Sequence, residues 1–158
     1  MNHRSLKRLL PPLAAIFLVL SIGGRAMSDD SPAIASVQNV GGTATVVRQG
    51  QTISVQRGLE IWKNDTLRTG PDGSIGVVFN DDTSLSLGPK SVLVIDEFIF
   101  APREGNFSIV LRMLKGTAAY FSGLISKLAP ESAHFETPSA SIGFRGTKCL
   151  VKVEVEQK

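Results

Sequence analysis

Turn-forming residues recur about every eight to twelve positions from Ala35 onward, and this spacing most constrains the fold. The breaks consist of glycine, asparagine, aspartate and proline, which adopt or preset the backbone angles of tight turns. The segments between them are rich in valine, isoleucine, threonine and phenylalanine, which favour extended backbone. The pattern predicts an all-β domain with strands at 43–48, 52–56, 74–79, 83–87, 92–100 and 107–114.

Apolar and polar residues alternate along several of these segments, as expected for sheets with one buried face. Ile75, Val77 and Phe79 share one side of their strand, whereas residues 92–95 are apolar at every position and are expected to be covered on both faces. We predict short stacked strands in a β-solenoid-like or two-layer sandwich arrangement. A Greek-key sandwich or barrel fits the pattern almost as well.

Residues 120–132 interrupt the rhythm of strands. Leu124, Ile125 and Leu128 lie at helical spacing, which predicts one helical turn or a packed loop. We expect these three side chains to pack into the core rather than to form a groove for a partner.

The first 26 residues have the layout of a secretory signal peptide. A basic start precedes an apolar run over 9–24, and small residues lie around Ala26. The run is shorter than the roughly 20 residues that a membrane-crossing helix needs, and no cysteine near Ala26 could carry a lipid. We predict a periplasmic or secreted protein that could meet the membrane only through an uncleaved signal segment. The predicted organisation is 1–26 signal peptide, 27–34 polar tether and 35–158 one β domain.

The net charge of the chain depends on the signal segment. The whole sequence carries 17 Lys+Arg against 14 Asp+Glu, a net charge of +3. Removing Arg4, Lys7, Arg8 and Arg25 leaves 13 against 14, a net charge of −1. The remaining basic residues are scattered along the sequence, so we predict no nucleic-acid partner.

Residues 27–158 offer little for catalysis, which requires several capable side chains at one place. They contain one histidine, His134, and one cysteine, Cys149, without metal-ligand spacing. His134 lies at the polar parity of an alternating strand and is expected to face solvent. Cys149 shares its parity with Val151, Val153 and Val155 and is expected to be buried and unreactive. We therefore predict no enzyme activity, no catalytic residues, no cofactor and no metal site.

Two stretches carry the most specific pattern in the chain. The first runs from Asn64 to Gly73 and continues over 81–87; the second contains Thr137-Pro138 and the run from Gly143 to Thr147. Aspartates at such turns accept hydrogen bonds from backbone N–H groups two residues on. Arg145 in the second stretch is expected to bind turn carbonyls or an aspartate such as Asp65 rather than a ligand, since buried arginine is normally paired.

Together these stretches resemble the FecR domain, a periplasmic module of bacterial regulators, over about residues 42–153. The chain has Asn64 and Asp82 where the family pattern usually has glycine, and both residue types tolerate a left-handed backbone. Phe144 stands where a smaller aliphatic residue is usual. The positions that match the family motif are Asp65, Thr69, Gly70, Gly73, Asp81, Leu85, Leu87, Thr137, Pro138, Arg145, Gly146 and Thr147.

The resemblance implies an exported sensor or interaction domain. FecR-type regulators sense an outer-membrane transporter and act on a cytoplasmic sigma factor; this chain is expected to be a stand-alone exported form that docks an envelope or secreted protein. The alternative is a glycan- or peptidoglycan-binding or structural surface protein. Its stacking platforms would be Trp62, Tyr120 and the phenylalanines.

Overall fold

The computed structural model describes residues 32–144 and 148–155. These residues form twelve strands, one short α-helix and one 3-10 turn, so the all-β prediction is confirmed. The elements are β1 (Ala35–Gly41), β2 (Ala44–Arg48), β3 (Gln51–Ser54), β4 (Glu60–Ile61), β5 (Thr66–Thr69), β6 (Ser74–Phe79), β7 (Ser84–Leu87), β8 (Val92–Ala101), β9 (Asn106–Phe121), α1 (Leu124–Leu128), the 3-10 turn (Pro130–Ser132), β10 (Ala133–Glu136), β11 (Ser141–Gly143) and β12 (Lys148–Val153).

The strands form one curled, half-barrel sheet with β9 at its centre. The first half of β9 pairs with β8 and β10, and its second half pairs with β7 and β12. Along the path β3-β2-β5-β8-β9-β7-β6-β1-β4 every neighbouring pair is antiparallel, whereas β10 runs parallel to β9. The architecture is therefore closer to the two-layer arrangement than to a solenoid.

Inward side chains from both halves of the sheet meet in one apolar core. Each fully buried leucine, isoleucine or valine contributes about 1.5 to 3 kcal/mol relative to an exposed one. The side chains predicted to share a face, Ile75, Val77 and Phe79, are all buried. β1 begins at Ala35, and Ile34 before it is already buried.

The predicted strand ends at residue 114, whereas β9 continues to Phe121. The prediction stops short because the buried side chains change parity partway along β9. Ile109, Leu111 and Met113 are buried in its first half, whereas Ala118 and Tyr120 are buried in its second half. The pairing with β8 shifts by one residue between these halves, where a bulge lies. A strict period of two therefore ends at the bulge, although the strand continues to Phe121.

The predicted helical turn is present, but its packing differs from the expectation. Ile125 is fully buried, whereas Leu124 and Leu128 are 38% and 60% exposed. The backbone N–H groups of Leu124 and Ile125 donate to the carbonyl and carboxylate oxygens of Asp81, and these bonds fix the orientation of α1. The prediction of core packing is thus right for Ile125 and wrong for the two leucines.

The surroundings of Cys149 also differ from the prediction. Cys149, Val151 and Val153 share the core-facing side of β12 as expected, but Cys149 is only half-buried. Val155 lies beyond the end of the strand and is exposed. Burial is incomplete because β12 pairs only with β9 among the described residues.

Phe144 belongs to the core. Its ring stacks on Tyr120 with centroids 3.9 Å apart, and it meets Phe135 edge-on. An aromatic side chain at this position therefore extends the buried cluster instead of changing the surface.

We expect ionisation of Tyr120, the single tyrosine of the chain, to oppose folding at alkaline pH. Burial raises the pKa of its hydroxyl, and the hydrogen bond with Ser126 partly offsets this effect. The pKa of the hydroxyl in the folded protein exceeds the unfolded value of about 10. The contribution of the neutral hydroxyl to the free energy of unfolding is therefore complete below about pH 10 and is lost as the pH rises through the folded pKa. Phenolate absorbance should titrate above about 10 in native protein and near 10 in urea.

The serine supplies the control for this titration. Ser126→Ala should raise the native midpoint further, because a hydrogen bond that favours the phenolate is removed. Equal midpoints in native and unfolded protein would contradict a buried hydroxyl.

Candidate functional site

Asp65 anchors the first motif stretch through a buried ion pair. Its carboxylate accepts two hydrogen bonds from Arg48, Nε to Oδ1 at 2.9 Å and Nη2 to Oδ2 at 2.7 Å. The backbone N–H of Trp62 donates to the same Oδ2 at 2.8 Å. The pKa of Arg48 is raised, chiefly by its hydrogen bonds with Asp65. The pair joins β2 to the turn before β5.

The cap that Asp65 forms differs from the prediction, because Asp65 binds the N–H three residues before it and not the one two residues on. Its arginine partner among the described residues is Arg48. The pairing of Arg145 with turn carbonyls or an aspartate stays a prediction. Arg145, Gly146 and Thr147 lie outside the described residues.

Trp62 is less available for stacking than the glycan alternative requires. The guanidinium carbon of Arg48 lies 4.0 Å from the centroid of its ring, so one face of the indole is covered. Tyr120, the other non-phenylalanine platform, is buried.

Thr69, Gly70 and Gly73 hold the turn between β5 and β6. Thr69 Oγ1 donates to the carbonyl oxygen of Gly88 at 2.6 Å. The N–H of Gly73 donates to the carbonyl oxygen of Gly70 at 3.0 Å. A Cβ atom at Gly73 would lie 2.1 Å from the carbonyl oxygen of Thr43. Glycine is therefore required there by the close approach of another backbone.

Asp81 holds the turn between β6 and β7 and connects it to α1. Its Oδ1 accepts the N–H of Thr83 at 3.0 Å, the predicted bond two residues on. Its Oδ2 accepts the Thr83 hydroxyl at 2.8 Å and the N–H of Ile125 at 3.1 Å. Leu85 and Leu87, which follow on β7, are buried in the core.

The two substitutions for glycine behave as predicted. Asn64 has φ +68° and Asp82 has φ +65°, both in the left-handed region. Asparagine and aspartate are the non-glycine residues that enter this region most readily, so both turns keep their geometry.

Thr137 and Pro138 belong to the turn between β10 and β11. Thr137 Oγ1 accepts the N–H of Ala140 at 3.0 Å, and Pro138 is exposed at the tip. The described motif residues are thus spread over several turns and the core. Apart from Leu87, they do not line the depressions described below.

A shallow apolar groove of about 440 Å³ crosses the outer face of β7, β9 and β12. Its floor is low because Ser86 and Ala119, both small, lie opposite each other in register. Leu150 follows in the same row on β12 and is 71% exposed. We call this surface the β12 groove; it is lined by Ser86, Leu87, Gly88, Thr117, Ala118, Ala119, Leu150, Val151 and Lys152.

β12 forms one side of this groove and is an edge strand. It pairs with β9, and no other strand in the described part of the chain pairs with it. Edge strands present unpaired backbone N–H and C=O groups, and lysines commonly protect them. Here Lys148 lies over the ring of Phe121 and Lys152 pairs with Glu154, which leaves Leu150 uncovered between them.

A second depression of about 460 Å³ adjoins the β12 groove at Thr117 and Lys152. Lys90, Lys115 and Lys152 line it together with Glu154. Within residues 32–144 and 148–155, no acidic side chain lies within ion-pair distance of Lys90 or Lys115. We call this surface the basic depression.

His134 is half-buried rather than fully solvent-facing, although it shares the outward side of β10 with Glu136 as predicted. It lines a third depression of about 280 Å³ with Pro130, Glu131 and Phe144 among others. No group of three or more histidine, cysteine or acidic side chains in the described residues is placed to hold a metal ion.

Apart from Leu87, the residues of the β12 groove and the basic depression are not among those that the sequence singles out. Leu150 stands at the polar parity of β12, between Lys148 and Lys152. The available signal is therefore an apolar residue at a position where the alternation predicts a polar one. The lysines of the basic depression are far apart in sequence and gave none.

Comparison with known proteins gives one family result. A family model described as FecR protein matches residues 65–158, more than half of the chain. Neither the curated proteins nor the solved structures gave a match. Among the described residues, no helix has the length and apolar character to cross a membrane.

Proposed function

The chain belongs to the FecR family, and from this premise we propose that it is an exported, non-enzymatic sensor or interaction domain that docks a protein of the cell envelope. The observation that carries the proposal is the β12 groove, an exposed apolar surface beside an open sheet edge. The nine motif positions that the structure describes support the fold, and the groove supplies the surface for a partner.

Exposed apolar side chains on an ordered strand favour a binding role. Leu150 is 71% exposed on a face where its neighbours Lys148 and Lys152 are charged. Burying one leucine side chain against a partner contributes about 1.5 to 3 kcal/mol. Extended segments that add to a sheet edge combine such contacts with backbone hydrogen bonds.

Two features support the proposal that the chain is non-enzymatic and exported. The single histidine of residues 27–158 lies in a depression without a second histidine or a cysteine, and catalysis requires several convergent groups. The basic start and apolar run of residues 1–26 support export.

Leu150→Asp should abolish partner capture. The tagged chain, expressed in its own cells, would be cross-linked in the envelope and its partners read by mass spectrometry. We expect the recovered protein to fall at least about tenfold, because a charge replaces the apolar contact. Leu128→Asp is the matched control, since Leu128 is also exposed but lies on α1.

Both variants should keep the melting temperature of the original chain, because both side chains are exposed. Equal capture by the original chain and Leu150→Asp would remove the β12 groove from the proposal. Recovery of peptidoglycan fragments alone would favour the glycan alternative.

A further inference from the structure

We propose that the docked segment is an extended strand that adds to the free edge of β12 and carries acidic residues at one end. Its outward apolar side chains extend the row of Leu150 at the rim of the β12 groove, and its acidic end lies near the C-terminal end of β12, toward Lys90 and Lys115 in the basic depression. This inference rests on the proposed function and names the chemistry of the partner at the same site.

The open edge of β12 favours a peptide backbone as the occupant. Within the described residues, β12 is paired along one side over Lys148–Val153 and unpaired along the other. Only another extended backbone can match a row of alternating N–H and C=O groups. An acyl chain would cover Leu150 but leave these groups without partners.

The inner face of β12 supports the same occupant. Cys149 and Val153 face the core but remain half-buried, because nothing in the described chain continues the sheet beyond β12. In a sheet, residues directly opposite each other share a face. An added strand would therefore cover Cys149 and Val153 on one side and extend the apolar row of Leu150 on the other.

The charges favour an acidic end. Lys90 and Lys115 lack ion-pair partners in the described part of the chain, and the basic depression that they line shares Thr117 and Lys152 with the β12 groove. A carboxylate there would gain contacts with two unpaired ammonium groups. A second copy is a poorer occupant, because antiparallel pairing centred on Leu150 would set Lys148 against Lys152.

Defined peptides test the inference on the full-length chain. One short peptide alternates valine and threonine and ends in two glutamates; a second ends in two lysines; a third repeats the first with alternate backbone amides methylated. Fluorescence anisotropy measures binding, and the alkylation rate of Cys149, the single cysteine, reports coverage of the inner face.

We expect the first peptide to bind and to slow alkylation of Cys149, and the methylated peptide to lose binding. In the double variant Lys90→Glu/Lys115→Glu, affinity for the acidic peptide should fall roughly tenfold and affinity for the lysine peptide should rise. Lys63→Glu/Lys127→Glu is the matched control, since both lysines are exposed elsewhere on the surface.

Equal binding of the methylated peptide would overturn strand addition, and equal binding of the lysine peptide would overturn the acidic end. Binding of the chain to phosphatidylglycerol vesicles through Lys90 and Lys115, with no binding of any peptide, would overturn the peptide as occupant in favour of a lipid. Concentration-dependent dimers through β12 would overturn it in favour of a second copy. Loss of envelope capture in Leu150→Asp, combined with any of these results, would leave the proposed docking function standing.

Discussion

Arg48→Ala is expected to lower the free energy of unfolding by about 3 to 5 kcal/mol, because it leaves a buried carboxylate without its cation. The Asp65 side chain is 1% exposed and that of Arg48 is 17% exposed. The substitution removes two charge-assisted hydrogen bonds to Asp65 and a third to the carbonyl oxygen of Glu60. It also uncovers the ring of Trp62. Urea denaturation followed by tryptophan fluorescence would measure the loss.

The chain contains a matched control for this substitution. Arg112 and Asp96 form the same two-bond geometry, at 2.7 and 2.6 Å, but their side chains are 43% and 30% exposed. Because solvent screens this pair, Arg112→Ala should cost no more than about 1 kcal/mol. The loss of unfolding free energy for Arg48→Lys should lie between those for Arg48→Ala and Arg112→Ala, since lysine keeps the charge but lacks the planar guanidinium that forms two parallel hydrogen bonds. Equal losses for Arg48→Ala and Arg112→Ala would show that burial does not govern the pair.

Asp81→Ala is expected to destabilise the protein by about 3 kcal/mol, because buried donors lose their acceptor. The N–H groups of Thr83 and Ile125 and the Thr83 hydroxyl all donate to this carboxylate. The N–H of Ile125 belongs to α1, so hydrogen exchange in α1 should accelerate beyond the global change. Thermal denaturation and amide exchange together would measure both effects.

Asp72→Ala is the comparison for Asp81→Ala. Asp72 lies exposed in the neighbouring turn, where its carboxylate accepts one long hydrogen bond of 3.4 Å from the N–H of Thr43. This substitution should change stability by less than about 0.5 kcal/mol. Asp81→Asn should cost less than Asp81→Ala, because the amide oxygen can still accept. A small loss for Asp81→Ala would mean that water replaces the carboxylate.

Local chemistry explains what the sequence could predict. The turns at Asn64 and Asp82 follow from the backbone preferences of two residue types, and the strand over 74–79 follows from a period of two. These preferences depend on only a few neighbouring residues, so they can be recognised in the sequence without knowledge of the fold.

The candidate site depends on contacts that local patterns do not encode. Arg48 and Asp65 are 17 residues apart, and nothing near either one specified the pairing. The β12 groove exists because β9 continues through a bulge and brings β7 and β12 to its two sides. The inward side of α1 is set by hydrogen bonds to Asp81, which lies 44 residues before Ile125 in the sequence.

The position of Arg48 on β2 has a consequence for how the family region is defined. The family match begins at Asp65, yet the cation that neutralises Asp65 and the strand that pairs with β6 both precede it. A fragment cut at the start of the match would carry a buried uncompensated charge and an opened sheet. The region that the family model matches and the sheet that the structure describes therefore have different first residues, and the described sheet begins with β1.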